Sequence, residues 1–107
     1  MRIKIMIGNI EDWFLVDTGF NGDLIVKTEI FDKIRTKPSD GGEVCVAKDL
    51  CFSALQKVVS IDILERQILC RALWIPELED NIVGEGAINK SWNFIRLQKF
   101  YNFRSLD

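Results

Sequence analysis

The chain has 107 residues, of which 14 are basic and 16 are acidic, and its formal net charge is −2. Because the basic residues are scattered singly and form no stripe, the composition argues against a nucleic-acid-binding surface. The sequence contains no histidine, which excludes Ser-His-Asp and Cys-His catalysis, His-ligated zinc and proton transfer by imidazole. Any acid–base chemistry must therefore use carboxylates, lysine or tyrosine.

Length and hydropathy bound the class of protein. A chain of this length is expected to form a single domain over residues 1–107, and 48% apolar residues are enough for a core. No segment has the hydrophobic stretch of a signal peptide or the ~20 apolar residues of a membrane span. The chain is therefore predicted to be a soluble cytoplasmic protein without a membrane partner.

The cysteines, Cys45, Cys51 and Cys70, are odd in number and contain no C-x-x-C pair. This pattern does not match a zinc site, so neither a metal nor a cofactor is predicted. Free cysteine is among the most buried residue types. The cysteines are therefore expected to be buried or free thiols.

The first elements are predicted to form a hairpin. Residues 1–7 alternate between polar and apolar side chains, which is typical of a strand with one solvated face. Gly8 and Asn9 suit a tight turn, and residues 13–16 would form the returning strand. The hairpin would then deliver Asp17 at its end.

A short buried strand is predicted over residues 24–26. Thr28 is expected to begin a short helix and to cap it with its hydroxyl. Residues 38–42 are predicted to be a loop, because they consist of Pro, Ser, Asp and Gly.

Residues 43–75 are predicted to form a meander of strands, with a hairpin tip at Lys48-Asp49 and a charged turn at Glu65-Arg66. An acidic loop would follow over residues 76–81. The remaining segments are predicted to be a short strand at 82–83, one or two turns of helix at 86–90 and a last strand at 92–97. This order indicates an all-β fold, a closed or partly closed barrel with one or two short helices.

The most informative stretch is F-L-V-D-T-G-F at residues 14–20, where a bulky apolar run leads directly into an acid, a hydroxyl and a glycine. Such a run is typical of a strand buried on both faces, and it places Asp17 where the backbone leaves the sheet. Gly19 permits close approach of the backbone. Burial and backbone N–H donors act in opposite directions on a carboxyl group there, which suits a catalytic carboxylate.

A second stretch, N-I-V-G-E-G-A-I-N-K at residues 81–90, again carries an apolar pair into a glycine. In this order the two stretches resemble the retropepsin-like aspartic proteases, the retroviral-type, single-domain relatives of pepsin, and above all their small prokaryotic members. The resemblance covers most of the chain, from Met1 to Leu97. It implies an acid-protease-type barrel, a hydrolase that cleaves peptide bonds, and a homodimer in which each subunit supplies half of the active site.

By this resemblance, Asp17 of each subunit would share one site and one proton. Two adjacent carboxyl groups cannot both ionise, so one would act as general base on a water and the other as general acid on the scissile carbonyl. Thr18 would form a buried hydrogen bond across the two-fold axis, and Gly19 would bring its N–H to the carboxylate. The residues implied to pack beneath the D-T-G loop are Ile82, Val83 and Gly84.

The same resemblance assigns the flap, a hairpin that closes over bound peptide, to the segment from Val44 to Phe52. The candidate flap residues are Val46, Ala47, Lys48, Asp49 and Leu50. This tip lacks the glycines of other members, and the second stretch also departs from the pattern after its first glycine, at Glu85, Gly86 and Ala87. Cys45 and Cys51 flank the tip and would oppose each other across a loop of odd length, so a disulfide there stays open as an alternative.

Simpler roles are expected for the other acids and aromatic residues. Asp12 and Asp23 are expected to be solvated turn acids, and the acidic loop to be solvated rather than a cation site. Tryptophans at strand positions are expected in the core or in an interface, namely Trp13, Trp74 and Trp92. An aromatic tail is expected to pack on the domain or across a dimer interface, through Phe100, Tyr101 and Phe103.

Two functions remain open. The first is a homodimeric aspartic endopeptidase that acts on peptides or unfolded proteins. The second is a catalytically inactive retropepsin-like module that binds a peptide or pairs with another protein without cutting it. The intact D-T-G favours the first, whereas the glycine-free tip and the altered second stretch favour the second. An unrelated small β-barrel would differ from both in being a monomer with a solvent-facing Asp17.

Overall fold

The structure, a computed structural model, describes residues 1–91 of the chain. Its strands are β1 Arg2–Ile7, β2 Ile10–Val16, β3 Leu24–Ile25, β4 Ser39–Ala47, β5 Leu50–Ile63, β6 Arg66–Trp74 and β7 Ile82–Val83. Helix α1 spans Thr28–Lys33, and residues 85–91 are helical and are called α2 here. The predicted all-β fold with short helices is confirmed.

The strands form one sheet that curls into a ring. Their order is β1-β2-β7-β3-β6-β5-β4, and a further antiparallel pairing of β1 with β5, in which Ile5 lies opposite Ile63, joins the two sides. β4 lies outside the ring and pairs with β5. Closing the sheet in this way removes strand edges that would otherwise expose unpaired N–H and C=O groups.

The β1–β2 hairpin follows from the alternation of its sequence. Ile7 pairs with Ile10, and Gly8 turns the chain with φ at +60°, a conformation that favours glycine. Ile5, Ile7 and Phe14 are buried in the core, because alternate residues of a strand face the same side of the sheet. The predicted hairpin leading to the D-T-G is confirmed.

Two clusters of buried apolar residues hold the sheet together. The larger cluster packs β1 and β2 against α1, β5 and β6, and its members with 0% exposure are Phe14, Leu24, Val26, Ala72, Val83 and Ala87. The smaller cluster, called the loop cluster here, joins the segment after the D-T-G to the β4–β5 hairpin, and consists of Phe20, Ile25, Val44, Ala54, Leu73, Ile75 and Ile82. A large apolar side chain contributes ~1.5–3 kcal/mol when fully buried, so these clusters supply most of the stabilisation of the sheet.

The loop predicted over residues 38–42 is wrong. β4 begins at Ser39, so most of the predicted loop is strand, and a register shift between Asp40 and Gly42 accommodates its glycines. Gly42 has φ at +72°, and a β-bulge is one of the few places in a strand that accommodates a residue with positive φ. β5 is one strand of 14 residues; it pairs with β4 over its first half and with β6 over its second.

Helix α1 begins at Thr28 as predicted, but the hydroxyl of Thr28 does not cap it. Lys27 is the N-cap residue and makes no side-chain cap hydrogen bond. Thr28 Oγ1 instead donates to Glu79 Oε1 at 2.9 Å and accepts from Trp74 Nε1 at 3.0 Å. Trp74 also stacks on Phe31, with ring centroids 5.8 Å apart. A tertiary partner thus competes successfully for a hydroxyl that the local sequence would use as a cap.

The C-terminal end of α1 is closed by a buried lysine of β5. Lys57 Nζ donates to Phe31 O at 2.7 Å and to Ile34 O at 2.9 Å. The last carbonyls of a helix have no partner within the helix, and a cation there also interacts favourably with the helix dipole. Lys57 therefore fixes α1 against β5.

Several predictions concern residues outside the described part of the chain. These are the last strand at 92–97 and the aromatic residues Trp92, Phe100, Tyr101 and Phe103. The single domain over residues 1–107 stays a prediction for the same reason. Within residues 1–91, neither helix has the length and apolar character needed to cross a membrane.

The turn between β5 and β6 consists of Leu64 and Glu65, one residue earlier than the predicted Glu65-Arg66. Both residues have positive φ, at +50° and +64°, as a two-residue turn between twisted strands requires. A left-handed conformation costs a residue with a Cβ ~1–2 kcal/mol, so glycine or asparagine is usual there. The turn therefore holds local backbone strain.

Replacing Glu65 by glycine should relieve this strain. We expect Glu65→Gly to raise the free energy of unfolding by about 0.5–1 kcal/mol relative to Glu65→Ala, because the gain at positive φ exceeds the added chain entropy of glycine. Glu65→Ala is the matched control, since it removes the same side chain and keeps the Cβ. Urea unfolding of both variants measures the difference, and an alanine variant as stable as the glycine variant would contradict the strain.

Candidate active site

Asp17 lies where β2 leaves the sheet, at the point that the sequence predicts. Its backbone N–H donates to Val83 O at 3.0 Å, and its carboxylate Oδ1 accepts the N–H of Gly19 at 2.9 Å. The side chain of Asp17 is half-buried, and Thr18 and Gly19 are exposed. One carboxylate oxygen is therefore held by the backbone while the side chain keeps access to solvent.

Strand β7 supports this loop because it lies between the two strands that flank it. β7 pairs in parallel with β2, with Leu15 opposite Ile82, and antiparallel with β3, with Leu24 opposite Val83. Both residues of β7 are buried. The chain between β2 and β3 therefore passes around the end of β7, and the D-T-G loop rests on it.

Backbone hydrogen bonds join the segment after the D-T-G to the start of α2. The N–H groups of Gly84, Glu85 and Gly86 donate to Asp23 O at 2.8 Å, to Phe20 O at 2.8 Å and to Gly22 O at 3.0 Å, respectively. A Cβ on Gly84 would collide with Gly22 O and would lie 2.6 Å from Phe20 O. The two stretches singled out in the sequence are thus in direct contact, and glycine at position 84 permits it.

Asp23 is a buried member of this contact, so the prediction of a solvated turn acid is wrong. Its Oδ2 accepts from Lys90 Nζ at 2.8 Å and from the N–H of Arg71 at 3.0 Å. The Asp23 side chain is 9% exposed and that of Lys90 is 47% exposed. The position of Asp23 directly before a buried strand was the available signal, but its partners lie 48 and 67 residues away.

Asn81 is a second buried polar residue that sequence reasoning missed, and it fixes the start of β7. Its Nδ2 donates to Asp12 Oδ2 at 2.9 Å and to Trp13 O at 3.3 Å, and its Oδ1 accepts the N–H of Lys27 at 3.0 Å. Asp12 is therefore a partner of Asn81 rather than a solvated acid. Asn81 connects β2, α1 and β7 at one point.

The outer face of β2 beside the candidate site exposes apolar side chains. Trp13 is 52% exposed and Leu15 is 40% exposed, so Trp13 does not lie in the core. Lys4 Nζ lies 5.1 Å from the centre of the Trp13 ring. Thr18 is also exposed, and within residues 1–91 its hydroxyl has no hydrogen-bond partner. The implied role of Thr18 across a two-fold axis stays a prediction.

The β4–β5 hairpin occupies the place of the predicted flap. Val46 and Phe52 pack against the loop cluster, which also contains the residue after the D-T-G, Phe20. The tip turns at Lys48 and Asp49, and Asp49 has φ at +63°. Aspartate is one of the few residues besides glycine that adopt this conformation readily, which explains how a tip without glycine can form.

Cys45 and Cys51 oppose each other across this hairpin and form a disulfide. The expectation that all cysteines are buried or free thiols is therefore wrong for this pair. It holds for Cys70, which is buried and free; burial, and next the charge of Asp23, raise the pKa of the Cys70 thiol to about 12. Among the described residues, Glu43 with the disulfide pair is the group that has the spacing of metal ligands, but the bonded sulfurs are not thiolates, which are the form that binds metals.

Asp17 lines neither of two concave regions on the surface of residues 1–91. The larger, about 850 Å³, lies between the β1–β2 turn, the end of α1 and the middle of β5, and includes Ile10, Arg35 and Val59. The smaller, about 380 Å³, adjoins the segment after the D-T-G and includes Asn21 and Asp23.

The ion pair between Lys90 and Asp23 should stabilise the fold measurably. We expect Lys90→Met to lower the free energy of unfolding by about 1–3 kcal/mol, because it leaves a buried carboxylate with one N–H donor; the half-exposed lysine keeps the loss below that of a fully buried pair. Lys4→Met is the matched control, since the Lys4–Glu11 pair is about half exposed on both sides and should contribute less than about 1 kcal/mol. Urea unfolding compares them, and equal losses would show that the Asp23 carboxylate does not depend on Lys90.

Gly84 should not tolerate a side chain. We expect Gly84→Ala to lower the free energy of unfolding by about 3 kcal/mol or more, because the added Cβ meets backbone atoms that cannot move without breaking the contact between the two stretches. Gly8→Ala is the control, since Gly8 has positive φ but nothing within 4 Å of its Cβ position, and it should lose about 1–2 kcal/mol. Similar unfolding midpoints for the two variants would refute the close contact at Gly84.

The comparisons with known proteins bear on the fold. No protein-family model matches the chain, and no curated protein matches it in sequence. Among solved structures, the chain is similar to EIAV protease in complex with the inhibitor HBY-793, with a TM-score of 0.72 and 18% identity over 84% of this chain and 86% of that chain. The placement of β7 between β2 and β3, the D-T-G loop resting on it and this structural match together give the chain a retropepsin-like fold.

Proposed function

We propose that the protein is an aspartic endopeptidase that acts as a homodimer, with Asp17 of each subunit as the catalytic residue. The observation that carries this proposal is the way Asp17 is held, with its N–H on Val83 O and its carboxylate on the N–H of Gly19. The chain carries one D-T-G. Two copies are therefore required to bring two carboxyl groups together.

In the proposed dimer the two Asp17 side chains face each other and hold one proton between them. The ionised carboxylate takes a proton from a water, whose oxygen attacks the scissile carbonyl carbon. The protonated carboxyl group donates its proton to the carbonyl oxygen. The tetrahedral intermediate then collapses as its C–N bond breaks and a proton passes to the leaving amine.

The substrate class is proposed to be a peptide or an unfolded protein with apolar side chains near the scissile bond. Val46 and Phe52 of the flap pack on the edge of the loop cluster and are half-buried, so part of each side chain faces solvent. Leu15, on β2 just before the D-T-G, is 40% exposed. The apolar side chains of a bound, extended peptide would cover these apolar side chains when the flap closes and excludes water.

A second candidate is a catalytically inactive retropepsin-like dimer that binds a peptide or a protein. Two observations favour it. The flap tip contains no glycine and is closed by the Cys45–Cys51 disulfide, which limits movement within the tip. The residues that follow Gly84, beginning with Glu85, depart from the pattern of the proteases that the sequence resembles.

The catalytic proposal is tested with Asp17→Asn. We expect the wild-type protein to cut a denatured protein mixture on the acid side of neutrality, because a fully protonated pair has no base and a fully ionised pair has no acid. Asp17→Asn should lose at least about 1,000-fold in kcat/KM, since both the acid and the base are removed from the dimer. Cleavage is measured between pH 3 and 7.

Asp62→Asn is the matched control, because Asp62 is exposed on β5 and should leave the rate unchanged. Sedimentation of each protein gives its oligomeric state. If the wild-type protein and Asp17→Asn are both dimers and neither cleaves the protein mixture, the result would favour the binding module. A stable monomer, or cleavage that survives Asp17→Asn, would refute the shared-carboxylate site.

A further inference from the structure

The Cys45–Cys51 disulfide closes a ring around the flap tip. The two residues are paired in register on β4 and β5, and a sequence separation of 6 leaves Val46, the two turn residues and their neighbours inside the ring. A register shift lies between Cys45 and Ala47. Apart from Val46, which is half-buried, the ring is exposed, so few contacts besides the disulfide order the tip.

The two cysteines of this bond lie at exposed positions, in contrast to the third cysteine. Cys45 and Cys51 are both exposed, whereas Cys70 is 1% exposed and lies in the core. Thiol–disulfide exchange requires the attacking thiolate to reach a sulfur along the S–S axis, so its rate depends on access. The flap pair is therefore the reactive cysteine site of the described chain.

The base of the flap is built differently from its tip. Gly41 and Gly42 lie at a register shift, because Asp40 of β4 pairs with Leu55 and Gly42 pairs with the adjacent Ala54. Gly42 has positive φ. Glycines at such a bulge absorb backbone rotation more easily than residues with a Cβ. Val44, in contrast, is buried in the loop cluster. A stapled tip on a glycine base would move as a rigid unit, whereas an unstapled tip would also have internal freedom.

We propose that the Cys45–Cys51 pair is a reversible redox-modification site, and that its oxidation state controls the order of the flap tip over the Asp17 site. The inference rests on the proposed protease function for its effect on cleavage, but the redox site itself does not require cleavage. The oxidised form holds the tip in one conformation and favours closure on a peptide. The reduced form must order the tip each time it binds.

The exchange reaction balances with glutathione as the reductant. A glutathione thiolate attacks one sulfur of the pair, the S–S bond breaks, and the other cysteine leaves as a thiolate and takes a proton. A second glutathione thiolate attacks the mixed disulfide and releases the first cysteine, which is also protonated. The protein disulfide has gained two electrons and two protons, and two glutathione molecules have become one glutathione disulfide.

Ordering a free tip should weaken substrate binding more than it slows the chemical step. We expect reduction to raise KM about 3- to 10-fold with little change in kcat, because immobilising even one or two flexible side chains costs that much in affinity. The Cys45→Ser/Cys51→Ser double variant should have the higher KM of the reduced protein under all redox conditions. Cys70→Ala, which adds no polar group to the core, should show the same dependence of KM on redox conditions as wild type.

The test equilibrates the folded protein in buffers with a series of ratios of reduced to oxidised glutathione. Samples are quenched with acid, unfolded and alkylated with N-ethylmaleimide, and their masses are measured. One label identifies the oxidised form, in which Cys70 alone is free, and labelling of all the cysteines identifies the reduced form. KM for a peptide and hydrogen exchange of the tip amides are measured on the same samples.

The proposal predicts that the thiol count, the KM and the exchange rate of residues 47–50 change together in wild type and not in the double variant. A disulfide that stays closed at every glutathione ratio until the protein unfolds would overturn it, as would one that opens without any change in tip exchange. If no peptide is cleaved in either state, the protease function fails, while the thiol count and the tip exchange still decide the redox site.

Discussion

The insertion of β7 between β2 and β3 is the constraint on which the rest of the structure depends. Its two residues supply hydrogen bonds to the strand before the D-T-G on one side and to the strand after it on the other, so the loop between those strands has its ends fixed. The N–H of Asp17 then donates to Val83 O, so the backbone of Asp17 is fixed and its carboxylate is held in turn by the N–H of Gly19. A short β7 is sufficient because both of its edges are paired and both of its side chains are buried.

Buried polar groups specify where β7 lies. Asn81 binds β2 and the start of α1, and the Asp23–Lys90 pair binds α2 to the sheet. A shift of β7 by one residue would move Asn81 away from its partners on β2 and α1 and move α2 away from Asp23. These groups would then be buried without partners, which costs more than their bonds contribute. Asn81 and Asp23 therefore restrict β7 to one register, whereas the apolar side chains beside them mainly provide stability.

The sequence was sufficient to predict what local periodicity and short motifs encode. The β1–β2 hairpin, the tip of the β4–β5 hairpin and the position of Asp17 follow from alternation, turn residues and one tripeptide. The partners of Asp23 and of the Thr28 hydroxyl did not follow, because they lie 46 to 67 residues away and local propensity contains no information on them. The prediction of a loop over the glycines of β4 is wrong because composition cannot distinguish a β-bulge from a turn.

The parallel pairing of Leu15 with Ile82 also has a consequence for the order of folding. Strand pairs that are close in sequence, such as the β1–β2 and β5–β6 hairpins, close small loops and form early, whereas a contact that spans most of the chain carries a large loop-closure entropy and forms late. During synthesis, β7 leaves the ribosome well after the D-T-G. The Asp17 loop thus acquires its final geometry only after the other strands of the ring have been made, and a nascent or truncated chain that lacks β7 carries the acid without the support that positions it.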